Sequence, residues 1–210
     1  MGIYRSGTSL ISGTLHHLGI DVGRHEFDSD PIKNPKGFWE CQDLWAINEY
    51  FRARCGKTRF ELNKDDIKKI IDDPTANERV RKYIGKRNEK DVWAMKDPMI
   101  VPFFELYEKY LTDPYYIFIE RATESVINSW QAIATVPLEE VIDAYWNHRE
   151  MVDDIRQKAV NSKIPHTELY YGWYVDNREE ACQKLADFVG VPITKEAIEF
   201  CQQYSLKGTK

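Results

Sequence analysis

The chain has 210 residues, 42% hydrophobic and 30% charged, with a formal net charge of −5 at pH 7. That is enough chain for one full apolar core, and its charge argues against non-specific binding to nucleic acid. No apolar run approaches the roughly 18 residues of a membrane span, and no basic-then-apolar start marks a secretory leader. Met1-Gly2 with Ser6 fits the N-myristoylation pattern, but Gly2 falls in the first predicted strand, which argues against it. Cys41, Cys55, Cys182 and Cys201 form no CxxC pair and have no histidine cluster. The composition therefore predicts no metal site and a reduced, cytoplasmic setting.

A very short apolar start, residues 1–4, reads as a strand running into Arg5-Ser6-Gly7-Thr8-Ser9. A helix follows over 8–18, with Leu10, Ile11, Leu15 and Leu18 on one face and Gly19 as its stop. Residues 20–22 read as a second short strand, and 23–36 as a polar loop broken by Pro31 and Pro35. Residues 38–53 look helical and aromatic. Asn63 is placed to cap a helix over 64–72, and Thr75 one over 76–86. The block at about 41–90 reads as a helical insertion or lid within a single domain spanning 1–210.

Residues 92–96 read as a buried strand ending in Lys96, and 101–111 as an amphipathic helix. The β-branched and aromatic run at 115–121 is the clearest strand and ends in Arg121. Helices are predicted from Thr123 or Ser125 to about 134, over 137–160, over 177–189 and from a Thr194 cap to about 204. A further strand is predicted at 164–171. Strands alternating with helices predict an α/β fold with a parallel sheet covered on both faces. Ligands of such sheets bind at the carboxyl ends of the strands, which puts Arg5, Lys96 and Arg121 on one rim.

The first loop offers backbone N–H groups at a helix start, three hydroxyls and a guanidinium, a set suited to phosphate or sulfate. The alternative is a loop that simply caps its helix. Gly2 and Gly7-Thr8-Ser9 copy the Walker A outline, with Thr8 in the lysine slot. Arg121 ends its strand, and Ser129 lies eight residues later inside the next helix, so both can reach one phosphate.

Together these stretches resemble the sulfotransferases that use 3′-phosphoadenosine 5′-phosphosulfate (PAPS). Arg5-Ser6-Gly7-Thr8-Ser9-Leu10-Ile11 is similar to the family's 5′-phosphosulfate loop. Arg121-Ala122-Thr123-Glu124-Ser125-Val126-Ile127-Asn128-Ser129 is similar to its 3′-phosphate element, with Thr123 where proline is common. Gly37-Phe38-Trp39-Glu40 and Lys96-Asp97-Pro98 look like further segments of bacterial members, with Met99 in place of an arginine. The resemblance implies a P-loop-like three-layer topology and metal-independent transfer of a sulfuryl group from PAPS to a hydroxyl or amine. The acceptor would be a small molecule, lipid or glycan, and adenosine 3′,5′-bisphosphate the product.

In this resemblance Arg5 faces the leaving-group oxygen. Ser6, Gly7, Thr8, Ser9 and Leu10 hold the 5′-phosphate, Arg121 and Ser129 the 3′-phosphate, and Lys96 the phosphate or sulfuryl group. Leu206-Lys207-Gly208 is similar to a loop over the 3′-phosphate, which would make Lys207 a further nucleotide contact. A general base is also required. Glu40, shielded by two aromatics, is one candidate. Glu26, at a spacing from Arg5 found in some members, is another, and His25, which titrates near neutrality, is the third. Trp39, Trp45, Tyr50, Phe51 and Phe60 read either as an acceptor wall or as core. The rival readings are a P-loop kinase or nucleotide hydrolase, with Asp97 as its metal carboxylate, and a non-catalytic nucleotide-binding module.

Overall fold

The computed structural model describes residues 1–23, 36–58 and 61–204. Ten α-helices and two strands occur among them: α1 (Thr8–His17), α2 (Gln42–Cys55), α3 (Lys64–Ile71), α4 (Pro74–Arg87), α5 (Phe104–Glu108), β1 (Tyr116–Glu120), α6 (Thr123–Gln131), α7 (Leu138–Asn161), β2 (His166–Tyr170), α8 (Tyr171–Asp176), α9 (Arg178–Val189) and α10 (Lys195–Gln202). The protein is thus a mixed α/β structure. None of these helices is long and apolar enough to cross a membrane.

Local chemistry explains where the helices start. Asn63 and Asp66 cap α3 reciprocally, the Asp66 N–H donating to Asn63 Oδ1 at 3.0 Å. At α4 the cap is Asp73, not Thr75. Its carboxylate accepts from the Thr75 and Ala76 amides, and Pro74 takes the first helical position, where its missing N–H costs nothing. The helix predicted over 101–111 is cut down for the opposite reason. Pro102 cannot continue a helix, so a 3-10 turn at Pro98–Ile100 comes first and α5 begins only at Phe104.

β1 and β2 pair in parallel, from Tyr116 opposite His166 to Glu120 opposite Tyr170. Strand alternation divides the apolar side chains between two clusters. Tyr116 and Phe118 join α2 to α7 in one cluster, while Ile119 and Leu169 join α1 and α8 to α10 in the other. The block at 41–90 belongs to the first: Leu44, Phe51, Val80 and Ile84 are buried among Phe103, Tyr107 and Trp130. The second cluster draws α1 close to α10, where a Cβ on Gly13 would lie 2.1 Å from the Phe200 ring.

Three predicted strands shrink. Residues 20–22 and 92–96 meet only at a parallel bridge between Asp21 and Trp93, and residues 1–4 contribute Met1 alone, bonded to the β1 edge. A strand needs partners along its length, and a cavity separates Met1 from residues 93–95. The strand predicted to 171 ends at Tyr170, and Tyr171–Asp176, most of which was assigned no element, is the helix α8. Gly172 and four aromatics between 170 and 174 mask its periodicity.

Candidate functional site

α1 begins at Gly7, whose φ of 109° turns the chain from the loop into the helix. The first-turn N–H groups of a helix have no intrahelical acceptor, so they face outward with partial positive charge. A Cβ at Gly7 would lie 2.4 Å from Tyr171 Cδ2, so glycine is what lets the Tyr171 ring lie against the loop. Arg5 also has a positive φ, 71°, and its carbonyl accepts from Arg121 Nη1 at 3.3 Å. Arg5 Nε donates to Ser129 Oγ at 3.0 Å, which joins the first loop to α6. The Arg121 guanidinium carbon lies 4.7 Å from the Tyr171 ring centroid, a cation–π contact.

These groups surround a cavity of about 110 Å3. Gly7, Thr8, Ser9 and Leu10 line one side, and Phe38, Glu40, Lys96 and Pro98 another. Arg5 and Arg121 close it with Tyr4, Tyr171 and Tyr204. Among the described residues, three cations face one carboxylate, in a protein whose net charge is −5. The volume suits a tetrahedral oxyanion, since a whole small-molecule ligand fills about 300–1,000 Å3. Burial holds the Arg5 pKa below its ordinary value, with Tyr4 opposing. Burial likewise raises the Tyr171 phenol, against the two arginines.

Lys96 ties the second half of the site together. Its Nζ donates to Glu40 Oε1 at 2.6 Å, to the Phe38 carbonyl at 3.0 Å and to Ser9 Oγ at 3.4 Å. Glu40 is positioned by its neighbour. Trp39 has a φ of 54°, and its carbonyl accepts from Ser12 Oγ of α1 at 2.9 Å. Asp97 turns the other way. It is buried, caps the 3-10 turn through Met99 N–H at 2.8 Å and accepts from Asn48 Nδ2 at 3.1 Å, while Tyr107 donates to the same asparagine.

Burial first, and the Glu40 charge second, push the Asp97 pKa up to about 6. An unfolded aspartate releases its proton near 4. Between those values the folded state holds the extra proton, so this contribution to stability is present below pH ~4 and is lost as pH rises through 6. The melting point of Asp97→Asn is therefore expected to fall less than that of the parent between pH 4 and pH 7, as read by paired thermal melts.

The structure brings Arg5, Gly7, Thr8, Ser9, Leu10, Glu40, Lys96 and Arg121 to one cavity, with Ser129 bonded to Arg5 at its edge. Ser6 departs from the expectation. Its hydroxyl is turned inward beside Gly2, 2% exposed and without a hydrogen-bond partner among the described residues, and its N–H donates to the Ile3 carbonyl. His25, Glu26, Phe60 and Lys207 lie outside the described residues. Of the aromatics proposed as an acceptor wall, the four that are described, Trp39, Trp45, Tyr50 and Phe51, do not line the cavity. Trp39 and Phe51 are buried in the two clusters, Trp45 is exposed, and Tyr50 lies under Arg79. Tyr4, Phe38, Tyr171 and Tyr204 line it instead. Tyr171 carried a usable signal, since it follows a strand and strand ends form the rim. Comparison with protein-family models, curated proteins and solved structures gave no match.

Proposed function

We propose that the protein is a PAPS-dependent sulfotransferase with a P-loop-like, three-layer topology, acting on an acceptor hydroxyl or amine. One observation carries the reading. Three stretches far apart in sequence, around Arg5, Lys96 and Arg121, supply cations to a single small cavity at a helix N-terminus. Gly7, Thr8 and Ser9 would hold the 5′-phosphate with helix-start donors. Arg121 and Ser129 would take the 3′-phosphate at the cavity's edge, outside the small volume that the 5′-phosphate fills, and Arg5, next to both, the charge that builds on the leaving oxygen. When bound, PAPS supplies the activated sulfuryl group.

Lys96 and Glu40 then work as a pair. Lys96 already reaches Ser9 as well as Glu40. Drawn toward an incoming anion, it would release the Glu40 carboxylate to accept the acceptor's proton. The kinase reading fits less well. Thr8 stands where a Walker lysine would, and Asp97 is committed to a buried hydrogen-bond network instead of facing the cavity.

Adenosine 3′,5′-bisphosphate is expected to raise the melting point, by about 2–4 °C for each kcal/mol of binding linkage, and to do so without Mg²⁺. A thermal-shift series with the bisphosphate, ADP and ATP–Mg²⁺ checks this. A clear preference for ATP–Mg²⁺ would overturn the reading in favour of the kinase.

A further inference from the structure

Four helices meet around one polar spot inside the second apolar cluster. Cys182 of α9 and Cys201 of α10 are free thiols, 0% and 1% exposed, and their sulfurs lie 3.0 Å apart. Thr14 Oγ1 of α1 lies 3.2 Å from the Cys201 sulfur, and the Tyr174 hydroxyl of α8 donates to that same oxygen at 3.1 Å. Cys41 and Cys55 belong to the other cluster. A single buried cysteine packs as a small hydrophobe. Two whose sulfurs face each other across a helix pair have further chemistry. A disulfide needs about 2.05 Å between sulfurs, so a shift of about 1 Å closes the gap.

The two thiols are not alike. The hydrogen bond from Cys182, above all, holds the Cys201 pKa below the ordinary thiol value, against burial. The same bond, with burial second, raises Cys182. Cys201 is also the easier of the two to reach. It is the penultimate residue of α10, where a helix frays, whereas Cys182 lies in the second turn of α9. Oxidants attack the thiolate, so Cys201 is the thiol that reacts first and Cys182 the one that resolves it.

We propose that Cys182 and Cys201 are a peroxide-responsive pair that closes to a disulfide and fastens α10 to α9. The Cys201 thiolate attacks one peroxide oxygen and the O–O bond breaks. That oxygen stays as the Cys201 sulfenic acid, and the other leaves as water with the proton the thiol gave up. The Cys182 sulfur then attacks the Cys201 sulfur. The S–O bond breaks, and its hydroxyl leaves as a second water with the Cys182 proton. The two thiols lose two electrons and the peroxide gains them. Under reducing conditions the pair rests as thiols, and the bond forms only when peroxide is present. The effect reaches the anion cavity through α10. Phe200 packs where Gly13 leaves room for it on α1, and Tyr204, whose N–H donates to the Cys201 carbonyl at 3.1 Å, lines the cavity. The disulfide holds that wall in place, whatever the cavity binds.

The test is hydrogen peroxide treatment of the 210-residue chain, then capping of free thiols in denaturant and peptide mapping without reduction. A cross-link between Cys182 and Cys201 is expected, with Cys41 and Cys55 recovered capped. It closes a loop of about 20 residues, so the melting point is expected to rise by about 6–12 °C and to return with dithiothreitol. Exchange of the Tyr204 amide is expected to slow roughly tenfold in the oxidised protein. In Cys182→Ser the reaction should stop at the Cys201 sulfenic acid, which dimedone labels, and Cys201→Ser should leave Cys182 reduced. Comparing the parent's own reduced and oxidised forms requires neither variant to fold. Pairing with Cys41 or Cys55 instead, or a Cys182–Cys201 bond that forms only in denaturant, overturns the proposal. So does a bond that leaves both the melting point and Tyr204 exchange unchanged.

Discussion

If the protein is the sulfotransferase proposed above, replacing Arg5 by alanine is expected to lower sulfuryl transfer by about 10²–10³-fold, the usual loss when one preorganised donor to developing charge is removed. The side chain is held at both ends. Its backbone takes the left-handed conformation and accepts from Arg121, and its Nε donates to Ser129. Alanine would keep that backbone, which is no harder for it than for arginine, and would delete only the guanidinium. Binding of adenosine 3′,5′-bisphosphate should weaken far less than turnover, because Arg121 and the helix start remain. Labelled-sulfate transfer alongside calorimetric titration of the bisphosphate checks both. Arg5→Lys should recover part of the rate but not the hydrogen bond to Ser129, since lysine is a point charge without the planar fork. Weakened affinity with turnover at saturation unchanged would instead make Arg5 a ground-state binder.

Gly7→Ala is expected to be the most damaging substitution in the loop. The positive φ alone costs an L-residue about 1–2 kcal/mol. The new methyl would also meet Tyr171 Cδ2 at 2.4 Å, and overpacking costs about 1–3 kcal/mol more. A total near 3 kcal/mol lowers the melting point of a chain this size by about 6–12 °C. Tyr171 can lessen the clash only by rotating off the loop, which takes the ring from beneath Arg121. The variant should therefore lose bisphosphate affinity along with stability. The double variant Gly7→Ala with Tyr171→Ala should regain part of the stability and none of the affinity. Thermal melts and titrations of the two variants separate the strain from the lost cation–π contact.

What could be read from the sequence follows from what spacing encodes. The anion loop and the Arg121–Ser129 element are local patterns, so their chemistry is visible in a few residues. Lys96 could be placed on the same rim because strand ends converge in α/β sheets. Its bond to Glu40 could not, since the two are 56 residues apart and no periodicity links them. The aromatics between 39 and 51 were ambiguous for a simpler reason: a ligand wall and a core both call for flat apolar rings. Packing decided for the core at Trp39 and Phe51. Asp73 and Thr75 are both good caps, and Pro74 between them selects the first. The apolar runs at 20–22 and 92–96 have strand character, but a strand also needs a neighbour, and neighbours are not written locally.

The burial of α2 and α4 against Phe103 and Tyr107 bears on how the site is reached. A segment that opens and closes over substrates must part from what it covers at little cost, and mobile elements come from the weakly held end of a structure. Swinging the 41–90 block aside would strip water-excluded contacts from Leu44, Phe51, Val80 and Ile84 at once, at about 25 cal/mol for each Å² of apolar surface uncovered. That is the penalty of partial unfolding, not of a hinge. The tyrosines that line the anion cavity, Tyr4, Tyr171 and Tyr204, lie outside that block, so a change in their positions calls for side-chain reorientation and not for a moving domain.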